Sequence, residues 1–184
     1  MKFFILLFST MSILLCQGSI WGAYDINPSA KIEVLGMEID QDIDNGGLVL
    51  GYNHPLYPVN DKMMVSIGGA YSLLPMSMDS SDDMEDVEFG FMSLYALPTY
   101  AINEKMAAWV SLGLNIPTTT ALTDMDAESG LTYGIGVQYK VNDKIGAGLG
   151  YIVNTTSVSE SEEGMSLTAD YQFSRLALFI GYSL

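Results

Sequence analysis

Along most of this chain, apolar and small or polar residues alternate with a period of two. Met63, Val65, Ile67, Tyr71 and Leu73 alternate with Met64, Ser66, Gly68, Ala70 and Ser72. Met106, Ala108, Val110, Leu112, Leu114 and Ile116 form a second series. Leu131, Tyr133, Ile135, Val137, Tyr139 and Val141 form a third, against Thr132, Gly134, Gly136, Gln138 and Lys140. A fourth sets Ile145, Ala147, Leu149, Tyr151 and Val153 against Gly146, Gly148, Gly150 and Ile152. Period two places successive side chains on opposite faces of a strand. Each predicted strand therefore has one bulky apolar face and one face of small or mildly polar residues.

Three near-identical turns separate these runs: Val59-Asn60-Asp61-Lys62, Ile102-Asn103-Glu104-Lys105 and Val141-Asn142-Asp143-Lys144. They recur about every 40 residues, the length of a long hairpin plus a tight turn, so they predict an up-and-down β-meander. The segments between them have acidic, strand-breaking midpoints near Asp44-Asn45-Gly46, Asp82-Asp83, Asp124-Met125 and Glu163-Gly164. Four long hairpins, hence eight antiparallel strands, follow. In the last segment the phase slips at Ser174-Arg175. Leu167, Ala169, Tyr171 and Phe173 share one parity, and Leu176, Leu178, Ile180, Tyr182 and Leu184 the other. A bulge there keeps the count at eight; a tight turn would make nine.

Charge separates along the same axis. The midpoint loops carry Asp40, Asp42, Asp44, Asp79, Asp82, Asp83, Glu85, Asp86, Asp124, Asp126, Glu128, Glu160, Glu162 and Glu163, and no Lys or Arg. Lys31, Lys62, Lys105, Lys140, Lys144 and Arg175 lie at or toward the other end. The formal net charge is -15, yet mean hydropathy is positive at +0.25. So acidic a chain repels nucleic acid and attracts cations. A soluble barrel would need a charged outer face. The Gly, Ser, Ala and Thr face suits instead the cramped interior of an eight-stranded barrel, which turns the bulky face to lipid. Tyr57, Tyr100, Tyr139 and Tyr182 all fall near the basic end and predict an aromatic girdle at a membrane interface.

The N-terminus adds a destination. Lys2 precedes an apolar run from Phe3 to Leu15, followed by small and polar residues. This reads as a secretory signal peptide over residues 1–22, with cleavage between about residues 18 and 23, leaving a barrel domain over 23–184. The run is too short to span a bilayer as a helix, which takes about 20 apolar residues. The one cysteine, Cys16, leaves with the signal. The remaining domain of about 160 residues has no thiol for a disulfide, a metal site or a nucleophile.

Together these features resemble the small eight-stranded bacterial outer-membrane β-barrels of the OmpA, OmpX and OmpW-like group. The final stretch Leu176-x-Leu178-x-Ile180-x-Tyr182-x-Leu184 is similar to the C-terminal signal read by the barrel-assembly machinery. It departs from the family by ending in Leu184 where an aromatic residue is usual. The resemblance implies an all-β transmembrane barrel in the cell outer membrane, with short periplasmic turns and longer acidic extracellular loops. It also implies a monomer whose partners are outer-membrane lipid and the assembly machinery.

No catalytic set emerges. The one histidine, His54, lies near the basic end of its strand with no serine assignable beside it. No cofactor motif is present. Asp40-Gln41-Asp42-Ile43-Asp44-Asn45-Gly46 resembles the start of a calcium loop, but Asn45 holds the glycine position and Gly51 the terminal glutamate position. Asp40, Asp42, Asp44, Asp82 and Asp83 are therefore no more than weak surface candidates for divalent cations. Lys31, Glu33, Glu88, Lys140 and Asp170 are candidate lumen charges, which would plug a narrow barrel if paired and hydrate it if not. Two readings follow. One is a non-enzymatic barrel, structural or binding ligands and cations through acidic loops. The other is a narrow, porin-like channel or transporter for small or hydrophobic molecules. Fractionation should recover the protein in detergent-extracted outer membranes as a heat-modifiable band; a soluble periplasmic monomer would overturn the membrane reading.

Overall fold

The computed structural model describes residues 18–43, 46–78, 87–119, 127–162 and 165–184. The strands are β1 (Ser19–Val34), β2 (Met37–Asp42), β3 (Leu48–Asn60), β4 (Met63–Leu74), β5 (Met76–Met78) and β6 (Val87–Phe89). They continue with β7 (Phe91–Ala101), β8 (Met106–Pro117), β9 (Gly130–Lys140), β10 (Ile145–Glu162) and β11 (Met165–Ser183). The main sheet runs β11-β10-β9-β8-β7-β4-β3-β1-β2, and pairing of β1 with β11 closes it. The closed circuit is β1, β3, β4 and β7 to β11: eight strands, every pair antiparallel. Strand β2 flanks only the upper part of β1, and β5 with β6 forms a separate ribbon.

The repeated turns have a local cause. Asn103 Oδ1 accepts from the backbone N–H of Lys105 and of Met106, both at 2.9 Å. Asn142 Oδ1 accepts from Lys144 and Ile145, both at 2.8 Å. Asn60 Oδ1 accepts from Lys62 at 2.9 Å. The side chain replaces the backbone acceptor the chain loses as it reverses. The first hairpin differs from expectation. Its tight turn is Leu35-Gly36, both at positive φ (53° and 77°), with β2 running back beside β1. Two positive-φ residues are what a two-residue hairpin turn requires. Residues 43–47 instead carry the chain from β2 to β3; Asp44 and Asn45, like Asp82, Asp83 and Asp124, lie outside the described residues.

The face assignment holds. Ile67, Tyr71, Leu94, Val110, Leu112, Leu114, Ile135, Val137, Leu149, Tyr151, Leu178 and Ile180 are exposed on the outer wall. So continuous an apolar belt is not a water-facing surface. Tyr57, Tyr100, Tyr139 and Tyr182 stand exposed beside the short turns, and Tyr24, Tyr71, Tyr133 and Tyr151 are exposed further along their strands. Inside, small residues make room for large ones. A Cβ at Gly51 would run into Trp21, at Gly136 or Gly150 into Trp109, at Gly68 into Tyr95 and at Gly148 into Phe179.

The expected bulge at Ser174-Arg175 is absent from β11, which is one continuous strand. The irregularity lies across the seam in β1, between Ile26 and Ser29, with Asn27 at φ 51°. The apolar residues change parity in β11 because the environment changes. Leu176, Leu178, Ile180 and Tyr182 face outward to the apolar belt. Tyr171 and Phe173 face inward, above the belt, where the outer side carries Asp170.

Gly148 is therefore a poor site for a tolerated insertion. Leu149→Arg should cost roughly 2–4 kcal/mol in lipid if near mid-membrane. Gly148→Ser should cost about 1–3 kcal/mol through Phe179 and the Val137 carbonyl. Gly146→Ser, whose Cβ would meet nothing nearer than the Tyr139 carbonyl at 3.6 Å, should cost well under about 1 kcal/mol. Reversible unfolding of the three variants in lipid vesicles checks the order.

Candidate functional site

The lumen is the part of the molecule where chemistry could occur, and it is built in three layers. The lowest consists of the four rings that the interior glycines accommodate. Trp109 and Phe179 meet edge to face, centroids 5.8 Å apart at 61°. The Asn53 amide is best assigned with its oxygen accepting from Trp21 Nε1 at 3.2 Å and its nitrogen donating to the Tyr95 hydroxyl at 2.9 Å. These residues wall a cavity of about 520 Å³ that opens at the short-turn end beside Lys105, Lys140 and Lys144.

The middle layer is polar and buried. Asn115 and Asn154 are each 0% exposed. Ser93 donates its hydroxyl to Asn115 Oδ1 at 3.1 Å, and Asn154 Nδ2 donates to the same oxygen at 2.5 Å and to Ser93 Oγ at 3.3 Å. Asn115 Nδ2 donates to the Thr155 carbonyl at 3.2 Å. Beside this network Arg175 Nε lies 3.1 Å from Asp25 Oδ1, both side chains buried. Neither of those two atoms makes a directed hydrogen bond, so the contact is ionic. Asn154 Oδ1 is likewise without a partner.

The upper layer is an apolar cap of Ala30, Ile43, Met76, Phe89, Phe91 and Phe173, with Tyr171 against it. Phe173 is the hub, 4.7 Å from Phe89, 5.2 Å from Phe91 and 6.2 Å from Tyr171 between ring centroids. The cap gathers residues from β1, the 43–47 connection, β5, β6, β7 and β11 over the barrel mouth. It lies where the chain leaves the apolar belt, so the loops are stapled to the barrel by a small core of their own.

The charges expected inside the barrel are mostly elsewhere. Lys31 is exposed on the upper extension of β1, 3.7 Å from Glu38 and 3.5 Å from Asp40. Glu33 and Glu88 are exposed. Asp170 is exposed and accepts from Ser157 Oγ at 2.6 Å. Lys140 alone borders the cavity, at its mouth, and pairs with Asp143 at 2.8 Å. That hydrogen bond, aided by the lysine charge, holds the Asp143 carboxyl below the ordinary carboxylate range. The buried pair is Asp25 with Arg175, which sequence reasoning missed. The available signal was an acid and a base, each isolated among apolar residues in the first and last strands of a closed barrel.

Of the surface cation candidates, Asp44, Asp82 and Asp83 lie outside the described residues. Asp40 is committed to Lys31, and among the described residues no three ligating side chains gather. His54 sits on β3 with its Nδ1 3.3 Å from the Tyr52 hydroxyl.

The architecture is that of the small outer-membrane β-barrels, with the apolar belt that such a fold turns to lipid. Ail, the attachment invasion locus protein of Yersinia pestis, is similar at 18% identity and a TM-score of 0.51, covering 90% of this chain and 97% of Ail. Neisserial surface protein A is similar at 8% identity and a TM-score of 0.51, covering 91% of this chain and 97% of that one. No protein-family model matches the chain, and no curated protein matches it in sequence.

Removing one member of the buried pair strands the other. Arg175→Met alone should destabilise the barrel by about 3–5 kcal/mol, whereas Asp25→Asn/Arg175→Met should recover most of that loss. Urea unfolding of the single and double variants in vesicles measures the difference.

Proposed function

We propose that this chain is a non-conducting, non-enzymatic barrel of the cell outer membrane that presents acidic hairpins at the cell surface. The role is structural, or binds ligands through those hairpins. The observation that supports the reading is the packing across the lumen. Asn115, Asn154 and Phe173 point into it at 0% exposure, one above the other in two successive layers. A water path would leave accessible surface on at least one of them.

The orientation follows from hairpin length. The short Asn-capped turns with their lysines face the periplasm, and the β1–β2, β5–β6 and β10–β11 hairpins face outward. The outer side of the β1–β2 extension exposes Glu33, Glu38 and Asp40, with Asp170 on the neighbouring strand. Export by a leader ending at Gly18 leaves β1 whole, because Ser19 to Gly22 pair with both β3 and β11. Cleavage at Gly22 or Ala23 would remove those pairings from the seam that closes the barrel.

Planar-bilayer recording of the refolded protein should show no stepwise conductance at high salt. Regular steps of uniform size would overturn the sealed-lumen reading and favour a channel.

A further inference from the structure

The basal cavity has a composition that a structural plug does not need. Its walls are four aromatic rings, Trp21, Tyr95, Trp109 and Phe179. Its ceiling is polar: Ser93, Ser111, Thr132 and Arg175 all border it, each more than nine-tenths buried. Arg175 carries five N–H donors in a planar fork, and among the described residues Asp25 is its one ionic partner. Its Nε, turned to Asp25, makes no directed hydrogen bond, and the guanidinium shares the ceiling with the hydroxyls of Ser111 and Thr132. At the mouth stand Lys105, Lys140 and Lys144 against Glu104 and Asp143, the basic end of a chain whose net charge is -15. A volume of about 520 Å³ falls within the range of small-molecule sites, roughly 300–1,000 Å³.

We infer that this cavity is a binding site for a small apolar monocarboxylate that enters from the short-turn end. Its carboxylate meets the Arg175 guanidinium and the Ser111 and Thr132 hydroxyls, and its flat body lies among the four rings. A planar fork suits a carboxylate, which accepts two parallel hydrogen bonds. Asp25 behind the arginine limits affinity for bare anions, so the apolar body supplies much of the binding. The bland alternative is a vestibule holding only water. The two readings differ in whether a carboxylate on an apolar ring is preferred to the same ring without the charge.

The chain reports on this itself, because its only two tryptophans, Trp21 and Trp109, both border the cavity. The full barrel, refolded in phosphatidylcholine nanodiscs, is titrated with 4-bromobenzoate, whose heavy atom quenches indole emission. The neutral 4-bromobenzyl alcohol serves as control. Expected is saturable quenching by the acid at a concentration at least tenfold below that of the alcohol. Asp25→Asn/Arg175→Met, which keeps the shape and removes both charges, should weaken the acid at least tenfold and leave the alcohol unchanged. If that variant does not fold, Ala101→Phe at the mouth should weaken both ligands together. Linear, non-saturating quenching, or equal affinity for acid and alcohol, would overturn the site. Either result is independent of the conductance experiment, which tests the layers above the cavity.

Discussion

The closed seam between β1 and β11 is the constraint on which everything else rests. Hydrocarbon offers no partner for a backbone N–H or C=O, so an open edge in lipid costs several kcal/mol per unpaired group. The pairing from Ser19↔Ser183 to Val34↔Ala169 joins the two ends of the sheet, so no strand edge faces lipid. Once eight strands close, diameter follows, and with it the volume available inside. The alternation of bulky and small residues is then no decoration. Bulky side chains must go out because they do not fit in, and those that do go in need glycine opposite them.

That volume limit also explains the layering. Below, Trp21 and Trp109 fill what Gly51, Gly136 and Gly150 leave open. Higher up, Ser93, Asn115, Asn154 and the Asp25–Arg175 pair replace rings by hydrogen bonds and an ionic contact. A buried pair of charges is weak support for stability, since desolvation offsets most of its attraction. Its effect here is on register. Asp25 and Arg175 lie on the two strands whose pairing closes the barrel, and a slip by one residue would put one of them in lipid. The pair so placed discriminates correct closure from near misses.

Much of this was legible in the sequence. The three Asn-containing turns were readable because one side chain performs the same hydrogen bonding in each, so selection for local geometry leaves a repeated word. The outward face was readable because small and bulky residues alternate over whole strands. The position of the first hairpin turn was not. Asp44-Asn45-Gly46 carries stronger turn residues than Leu35-Gly36, but register with the upper half of β1 outweighs local preference. The lumen charges were not legible either. Lys31, Glu33 and Asp170 have interior parity only if the strand is counted through the irregularity in β1 and the change of environment in β11, both of which parity counting cannot see. Whether the lumen conducts depends on side-chain packing of Phe173 against Phe89 and Phe91, which no linear pattern encodes.

The parity reversal along β11 carries a wider lesson about strands that cross a boundary. From Leu176 to Tyr182 the larger apolar residues of one parity, Leu176, Leu178, Ile180 and Tyr182, face out to hydrocarbon, while Phe179 turns in against Trp109. From Tyr171 to Phe173 they face in, because outside has become water and inside has become the only dry place. The β11 backbone runs straight through the crossover; the solvent changes. A slip in hydrophobic phase within one strand thus marks the membrane surface as readily as it marks a bulge. In this chain it falls at Ser174-Arg175, the same level at which the apolar belt gives way to the capped hairpins. The upper cap and the lipid belt are therefore one feature of the sequence, two halves of an amphipathic pattern inverted at the interface. The aromatic cap over the barrel mouth arises where that inversion turns large side chains such as Phe173 inward.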